Sequence, residues 1–227
     1  MEVIVLAGGK GTRLRSVIGE SPKPMALIKG VPFLEKQFDW LISQGASKLI
    51  VSVGYKYEVI TEHFKNEFKG VPIRYVIEEQ PLGTGGAIRL ASNECKEDQY
   101  FVVNGDTYYP ISLTDMIENY SKNDLMIATK FIEVADRYGL VRTLDDKVIG
   151  FDEKKVKSSG DINAGVYLMS KNLIINMPTG SFSFEEFMQS GLEGASINVS
   201  RYKPIDETDF IDIGIPEDYE RAQHVID

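Results

Sequence analysis

Two aspartates and a glycine-rich loop are the residues of this chain whose types and positions point most directly to chemistry. The loop, Leu-Ala-Gly-Gly-Lys-Gly-Thr-Arg-Leu, occupies residues 6–14, and the aspartates are Asp106 and Asp212. Glycines let the backbone turn tightly beside a ligand, so that successive N–H groups can point at phosphate oxygens. Carboxylates are ligands that Mg²⁺ prefers. These residue types are those of a site for a phosphate chain and a metal ion, but two aspartates so far apart in sequence are not by themselves evidence of a shared metal.

The glycine loop differs from two common phosphate-binding consensus patterns. A Walker loop would close with Gly-Lys-Ser/Thr, and a dinucleotide fingerprint would have a third glycine where this chain has Leu14. A tight turn between a strand and a helix, with no ligand, is the alternative, because glycine often only marks a turn. The neighbouring Arg13, Arg15 and Lys23 favour an anionic ligand.

Charge is unevenly distributed along the chain. The whole chain has a net charge of −9, but residues 1–30 carry more basic than acidic side chains. The basic ones are Lys10, Arg13, Arg15, Lys23 and Lys29, and the acidic ones are Glu2 and Glu20. The net negative charge argues against a nucleic-acid partner. A basic face that only contacts solvent is one interpretation, and a binding site for a small polyanion beside the loop fits better.

Length and composition indicate one globular domain. The chain has 227 residues, of which 43% are hydrophobic, enough for a core of ordinary size. No apolar run approaches the roughly 20 residues needed to span a bilayer, and no signal-peptide pattern precedes the first strand. We therefore expect a soluble, cytoplasmic protein with no membrane partner.

Alternating strand-like and helix-like segments predict an α/β fold with a parallel sheet in the first half. Apolar, β-branched runs predict strands at residues 3–7, 49–53, 73–77 and 100–103, and helical periodicity predicts a helix at residues 33–43. In an open α/β sheet, ligands bind beyond the carboxyl ends of the strands. Asp106 follows the strand at 100–103, so we expect it to face the same crevice as the glycine loop.

The second half of the chain has a different pattern of predicted secondary structure. Two short strand-like runs at residues 140–143 and 148–151 flank Asp145-Asp146 and predict a hairpin. A final helix is predicted at residues 216–225, because proline opens it and acidic residues fill its first turn. These signals predict a mixed sheet that builds a second wall of the site.

Seven segments, in the same order along the chain, resemble the sugar-1-phosphate nucleotidyltransferase family. They are L-A-G-G-K-G-T-R-L (6–14), S-P-K-P-M (21–25), Q-P-L-G-T-G-G-A-I (80–88), N-G-D (104–106), F-D-E-K (151–154), N-A-G-V-Y (163–167) and D-I-G-I-P-E-D-Y (212–219). Any one segment is a weak signal, but seven in register cover the chain from the first strand to the last helix.

The resemblance implies both a fold and a domain arrangement. The fold is Rossmann-like, a three-layer α/β/α nucleotidyltransferase of the GT-A-like type with a mostly parallel mixed central sheet. It forms a single domain, residues 1–227, with a nucleotide-binding half at about 1–125 and a sugar-binding half at about 126–227. Such an enzyme acts as a monomer or a homodimer.

The resemblance also implies a reaction. A sugar 1-phosphate oxygen attacks the α-phosphorus of a nucleoside triphosphate and expels pyrophosphate, with Mg²⁺ as the cofactor. The segments at 52–60, 81–88, 137–141 and 210–219 are most similar to the branch that uses GTP and makes GDP-D-glycero-α-D-manno-heptose. Nucleotide sugars of that kind supply the biosynthesis of capsule, S-layer or lipopolysaccharide.

The family's roles in nucleotide binding and catalysis can be carried over to matching residues. The loop residues Leu6, Ala7, Gly8, Gly9, Gly11 and Thr12 would hold the triphosphate. Arg13 would neutralise charge on the departing pyrophosphate, and Lys23 would lie near the α-phosphate. Asp106 and Asp212 would together bind one Mg²⁺, and Arg13, Lys23 and Asp106 would be the catalytic residues.

The family's base and sugar contacts fall on other motifs. Gln80 would read the nucleobase through its amide and Gly85 through its backbone, but an amide both donates and accepts, so uracil, thymine and cytosine stay open beside guanine. The sugar phosphate would contact Gly105, Glu153, Lys154, Asn163, Gly165 and Glu185. Lys155 stands where many members have proline, so either Lys154 or Lys155 would hold the phosphate.

Two other functions are compatible with parts of the sequence. A catalytically silent, nucleotide-binding regulator would have lost Arg13, Lys23 or an aspartate, and none is lost. An enzyme acting on a non-sugar phosphate would share the nucleotide half, whereas Glu153 and Asn163 favour a sugar. Uridylyl-, thymidylyl- or cytidylyl transfer to a hexose 1-phosphate is the alternative within the family.

Overall fold

A computed structural model describes residues 1–9, 11–121, 123–152, 159–206 and 208–226. The strands are β1 Glu2–Leu6, β2 Leu27–Ile28, β3 Val31–Pro32, β4 Lys48–Val53, β5 Glu67–Phe68, β6 Val71–Ile77, β7 Gln99–Asn104, β8 Thr107–Tyr108, β9 Leu125–Ile132, β10 Leu140–Leu144, β11 Lys147–Asp152, β12 Gly160–Ser170, β13 Val199–Tyr202 and β14 Ile211–Asp212. The helices are α1 Arg15–Ile18, α2 Phe33–Ser43, α3 Tyr57–Phe64, α4 Gly83–Ser92, α5 Leu113–Glu118, α6 Leu173–Asn176, α7 Phe184–Glu193 and α8 Pro216–Val225, with short 3₁₀ helices at Thr12–Leu14 and Lys23–Met25.

A ten-stranded mixed sheet includes strands from both halves of the described chain, in the order β10-β11-β13-β9-β12-β7-β1-β4-β6-β5. Strands β7, β1, β4 and β6 pair in parallel, as predicted for the first half. In the second half, β13 and β9 are parallel, whereas β12 runs antiparallel to both β7 and β9. The α/β mixed sheet is thus confirmed, and its parallel pairs are concentrated in the first half.

One antiparallel pair of the second half follows from a short connection. Strands β10 and β11 form the predicted hairpin, and Asp145 between them adopts a left-handed conformation with φ of 53°. A two-residue connection of this kind can join only antiparallel strands, because a parallel pair needs a long crossover. The predominance of parallel pairing inferred for the sheet therefore applies to the first half alone.

Helices cover the sheet on both faces. Along β1, successive side chains alternate between faces, so Val3 and Val5 pack with α2 and α3 in one core, whereas Ile4 packs with α4 and α7 in another. All three β1 side chains are fully buried. Burying a side chain of this size contributes about 1.5–3 kcal/mol, so apolar contacts on both faces fix the strand that leads into the glycine loop.

The last helix returns to the beginning of the chain. Helix α8 packs through Ala222 into a small core with Leu14, Ile28 and Ile213. The sequence predicts this helix with the same bounds as the structure, because Pro216 takes a first-turn position at its N-terminus. This packing holds β14, and with it Asp212, beside the segment that carries the glycine loop and Lys23.

Within the described residues, no helix combines the length and the apolar character that a bilayer crossing requires.

Candidate active site

The glycine loop and Asp106 both follow strands that end at the same edge of the sheet. Leu6 at the end of β1 pairs in parallel register with Asn104 at the end of β7. The N–H of Gly105 donates to the carbonyl of Leu6 at 3.0 Å. A Cβ at position 105 would lie 2.6 Å from that carbonyl oxygen, so the close approach of the two strand ends requires glycine. The crevice predicted from the sheet topology is therefore present.

A cavity of about 580 Å³ opens at this edge. Its lining residues are Leu6, Ala7, Gly8, Gly9, Lys23, Pro24, Gly54, Tyr55, Glu78, Glu79, Pro81, Gly83, Thr84, Ala87, Asn104, Gly105 and Asp106. A cavity of this volume lies in the range typical of small-molecule sites. Most of the residues predicted to hold the nucleotide therefore share one cavity.

Lys23 is the central cation of the site. Lys23 is only 8% exposed. Its ammonium donates to Asp106 Oδ2 at 2.7 Å and lies 3.7 Å from Asp212 Oδ1. Gly11, with φ of 57°, packs so close that a Cβ there would lie 2.7 Å from Lys23 Cβ. The glycine loop, the lysine and both aspartates therefore form one cluster.

A short bridge places the two aspartates side by side. Strand β8 directly follows Asp106 and pairs antiparallel with β14, so that Asp212 lies opposite Thr107. The N–H of Ile213 also donates to the carbonyl of Asp106 at 3.0 Å. Each bridging strand is only two residues long. Such short strands bring together two carboxylates that are more than a hundred residues apart in the sequence.

The surroundings of Asp212 shift the pKa of its carboxyl group. Burial raises the pKa of Asp212, and the negative charge of Asp106 raises it further, while Lys23 lowers it. Taken together, the pKa of Asp212 lies above its ordinary value. An additional cation would relieve the repulsion between the two carboxylates. The site therefore favours binding of positive charge.

The donor set fits a magnesium ion. Asp106 and Asp212 supply hard carboxylate oxygens, and Mg²⁺ is usually held by one or two carboxylates together with water and substrate phosphates. Across the described parts of the chain, no cluster of three or more acidic, histidine or cysteine side chains offers a closed protein cage. A bound phosphate chain would thus complete the coordination. The predicted role of the pair as metal ligands agrees with this chemistry.

Thr12 and Arg13 lie on the exposed 3₁₀ helix that follows the glycine loop. Among the residues that the structure describes, Arg13 forms no ion pair with an acidic side chain. Its guanidinium is a fixed fork that suits phosphate oxygens. Its predicted contact with pyrophosphate stays a prediction.

The cavity wall next to the predicted base contact Gln80 contains acidic residues that the sequence interpretation missed. Gln80 is exposed and does not line the cavity, whereas Glu78 and Glu79 do. Glu78 is held in place, because its Oε1 accepts from Ser52 Oγ at 3.0 Å and its Oε2 accepts from the N–H of Leu82 at 3.1 Å. Glu78 directly follows β6, a parallel strand separated from β1 only by β4, and this position beyond a strand end was the available signal.

The interpretation of Gly85 needs a correction. Its N–H donates to the carbonyl of Phe182 at 3.1 Å, and a Cβ there would lie 2.1 Å from the Phe182 ring. A Cβ at Gly86 would lie 2.4 Å from the carbonyl of Gly180. These glycines let the segment at residues 180–182 pack on α4. The N–H of Gly85 is therefore not available to a nucleobase.

The predicted sugar contacts lie on the other side of Asn104. Asn163 donates through Nδ2 to the hydroxyl of Tyr167 at 2.9 Å and accepts from the N–H of Gly165 at 3.1 Å. The pairing of β12 with β9 shifts register here, and Gly165 has φ of 70°. A Cβ at Gly165 would lie 2.6 Å from Asn104 Nδ2. The bulge thus brings Gly165, to which the Asn163 side chain is hydrogen-bonded, against a cavity residue, as bulges near sites often do.

Glu185 lies in the first turn of α7. Its Oε2 accepts from Thr84 Oγ1 at 3.1 Å and from Ser183 Oγ at 3.0 Å. Thr84 lines the cavity, so Glu185 is connected to the site through that hydroxyl. The proposed sugar ligands Glu153 and Lys154, and the alternative Lys155, lie outside the described residues.

The raised pKa of Asp212 predicts a stability effect in the metal-free protein. A raised pKa means that the folded state binds the proton more tightly than the unfolded state, so the ionised carboxylate opposes folding at neutral pH. We expect Asp212→Asn to raise the melting temperature at neutral pH in EDTA, by about 2–4 °C for each kcal/mol gained. The gain should shrink as pH falls and the wild-type carboxylate becomes protonated.

The matched control is Asp209→Asn, which removes an exposed aspartate three residues earlier in the chain. Thermal unfolding followed by circular dichroism would compare the three proteins. A melting temperature for Asp212→Asn that is below that of wild type at neutral pH would contradict the assigned electrostatics.

A profile of the nucleotidyl transferase family matches residues 2–227. The D-glycero-alpha-D-manno-heptose 1-phosphate guanylyltransferase of Aneurinibacillus thermoaerophilus is 45% identical over 226 residues, which cover 98% of this chain and 97% of the relative. A protein of the same name from Campylobacter jejuni subsp. jejuni is 46% identical over 221 residues, which cover 96% and 97%.

Solved structures show the same similarity. HddC from Yersinia pseudotuberculosis complexed with GMP-PN superposes with a TM-score of 0.86, at 37% identity over 98% of both chains. The inositol-1-phosphate CTP transferase from T. maritima, at 20% identity and a TM-score of 0.80, shares the fold. With the site geometry described above, the match over nearly its whole length shows that this chain belongs to the nucleotidyl transferase family.

Proposed function

We propose that this protein transfers GMP from GTP to D-glycero-α-D-manno-heptose 1-phosphate, giving GDP-heptose and pyrophosphate. The observation that carries the proposal is the 45% identity, over 98% of the chain, to a heptose 1-phosphate guanylyltransferase. The site supports the same chemistry, because it combines a glycine loop, a buried lysine and two aspartates in one cluster. A product of this kind would serve surface polysaccharide biosynthesis.

The bond changes define what the site must supply. An oxygen of the sugar phosphate forms a bond to the α-phosphorus of the triphosphate, and the bond from that phosphorus to the oxygen bridging to the β-phosphate breaks. The attacking phosphate is already ionised at neutral pH, so no strong general base is needed. Positioning and neutralisation of charge supply most of the rate in such transfers.

Each charged side chain of the cluster has a task in this reaction. Lys23 reaches the transferring phosphate from its buried position, and its compact ammonium neutralises charge there. Asp106 and Asp212 would hold Mg²⁺, which when bound supplies Lewis-acid polarisation of the phosphate oxygens. Arg13 and the loop N–H groups hold the departing pyrophosphate.

The acidic wall of the cavity supports guanine as the base. Guanine presents two adjacent donors, N1–H and the N2 amino group, along one edge, and an ionised carboxylate is an acceptor-only group. The pyrimidines and adenine present an acceptor beside a donor, so a carboxylate matches their edges less well. Both oxygens of Glu78 already accept one hydrogen bond and keep further lone pairs for a base.

A substrate panel tests the proposal directly. Pyrophosphate release would be measured with Mg²⁺ for GTP, UTP, dTTP, CTP and ATP, each paired with D-glycero-α-D-manno-heptose 1-phosphate, mannose 1-phosphate or glucose 1-phosphate. We expect GTP with the heptose phosphate to give the highest kcat/KM. Preference for another pair would correct the substrates within the class, and no release from any pair would overturn the proposal.

The role of Glu78 predicts a change in base discrimination. Inosine triphosphate lacks the 2-amino group of GTP, so an enzyme that reads this group through a carboxylate prefers GTP. We expect Glu78→Gln to reduce the GTP to ITP ratio of kcat/KM by roughly tenfold or more, because a hydrogen bond to a charged group contributes about 1.5–3 kcal/mol.

Glu79→Gln is the matched control, because it makes the same change at the adjacent, more exposed cavity residue. Its GTP to ITP ratio should stay near that of wild type. An unchanged ratio in Glu78→Gln, or a loss confined to Glu79→Gln, would refute the assignment of Glu78.

A further inference from the structure

Helix α2 carries a buried amide directly behind the metal-ligand turn. Gln37 is fully buried, with an exposed fraction of 0%. Its Nε2 donates to the carbonyl of Asn104 at 2.8 Å and to the carbonyl of Thr107. Most buried neighbours of Gln37 on this helix are apolar core residues, among them Leu34, Phe38 and Leu41. A polar side chain in this position therefore needs an explanation beyond packing.

The two accepting carbonyls stand on either side of Gly105 and Asp106. The single amide of Gln37 thus spans the turn that presents the Asp106 carboxylate. Two backbone hydrogen bonds hold the middle of the same turn, namely Gly105 N–H to Leu6 O and Ile213 N–H to Asp106 O, both at 3.0 Å. Gln37 holds the carbonyls of the two flanking residues. All four residues of the turn that carries Asp106 are therefore held by hydrogen bonds.

The carbonyl oxygen of the same amide shows that the two donated hydrogen bonds are what Gln37 provides here. Within the described residues, Gln37 Oε1 is buried and has no hydrogen-bond partner. An unpaired buried acceptor is unfavourable, and an apolar side chain of the same size would avoid it. The amide cannot turn over to pair this oxygen, because its donors would then leave two carbonyls unpaired. The stabilisation from the two hydrogen bonds to the turn thus outweighs the cost of leaving one acceptor unpaired.

We propose that Gln37 is a positioning residue that holds Asp106 in the geometry required to bind a divalent cation together with Asp212. Gln37 contacts neither substrate nor metal, and it acts through the backbone of the 104–107 turn. The inference rests on the proposed function, in which Asp106 and Asp212 are metal ligands. Groups that orient metal ligands typically change metal affinity by 10–100-fold when they are replaced.

The test compares two variants on the same helix. Gln37→Met keeps the size of the side chain and removes both donated bonds. Trp40→Phe is the matched control, because it removes a different buried hydrogen bond from the same helix, that of Trp40 Nε1 to the carbonyl of Ile111 at 3.1 Å, and keeps an aromatic ring beside Tyr108. Binding of Mn²⁺ alone to the full-length proteins would be measured by electron paramagnetic resonance, without substrates.

We expect Gln37→Met to weaken Mn²⁺ binding by roughly 10-fold or more, and Trp40→Phe to stay within about twofold of wild type. In turnover assays, the Mg²⁺ concentration for half-maximal activity should rise in Gln37→Met, and saturating Mg²⁺ should restore most of kcat. A merely structural role would lower kcat through a smaller folded fraction and leave the Mn²⁺ dissociation constant unchanged.

Equal Mn²⁺ affinity in Gln37→Met and wild type, or equal losses in both variants, would overturn the inference. If Gln37→Met does not fold, Gln37→Leu removes the same two N–H donors with a smaller, neutral side chain, and the same loss is expected. If wild type does not bind Mn²⁺ without substrates, the Mg²⁺ concentration for half-maximal activity decides, and a value for Gln37→Met equal to that of wild type overturns the inference. Binding by wild type and equal binding by the variants would refute the positioning role alone.

Discussion

The arrangement of the site depends on one ion pair, between the ammonium of Lys23 and the carboxylate of Asp106 at 2.7 Å. The same ammonium lies 3.7 Å from Asp212, whose pKa is raised by burial and by the charge of Asp106. Two carboxylates so close together need a cation between them, and in this structure Lys23 provides it. Substrate phosphates and a divalent ion would share that charge during the reaction.

The fold brings these three residues together from separate segments. Lys23 follows the glycine loop, Asp106 follows β7, and Asp212 forms part of β14. The parallel pairing of β1 and β7 aligns the first two, and the packing of α8 on the small core around Leu14 holds the third. The sheet and the terminal helix therefore act as one support for the charge cluster, and glycine at position 105 permits the close approach of the ends of β1 and β7.

Sequence periodicity could predict the long elements and not the short ones. Residues 33–43 and 216–225 have the helical patterns that the structure confirms, because each buries a continuous apolar stripe or has a clear start signal. Strands β8 and β14 are too short for any period, so only the family resemblance paired Asp106 with Asp212. The contacts of Gly85 and Gln37 depend on residues distant in sequence, and no local pattern shows them.

The most direct test of the account is the Mg²⁺ dependence of pyrophosphate release by Asp106→Asn compared with wild type. Replacing the carboxylate with an amide keeps the shape of the side chain and removes its charge, so it weakens both the metal site and the contact with Lys23. The account predicts a loss of kcat of roughly 10² or more and a higher Mg²⁺ requirement. Turnover near the wild-type rate, with an unchanged Mg²⁺ requirement, would contradict the assignment of this cluster as the catalytic centre.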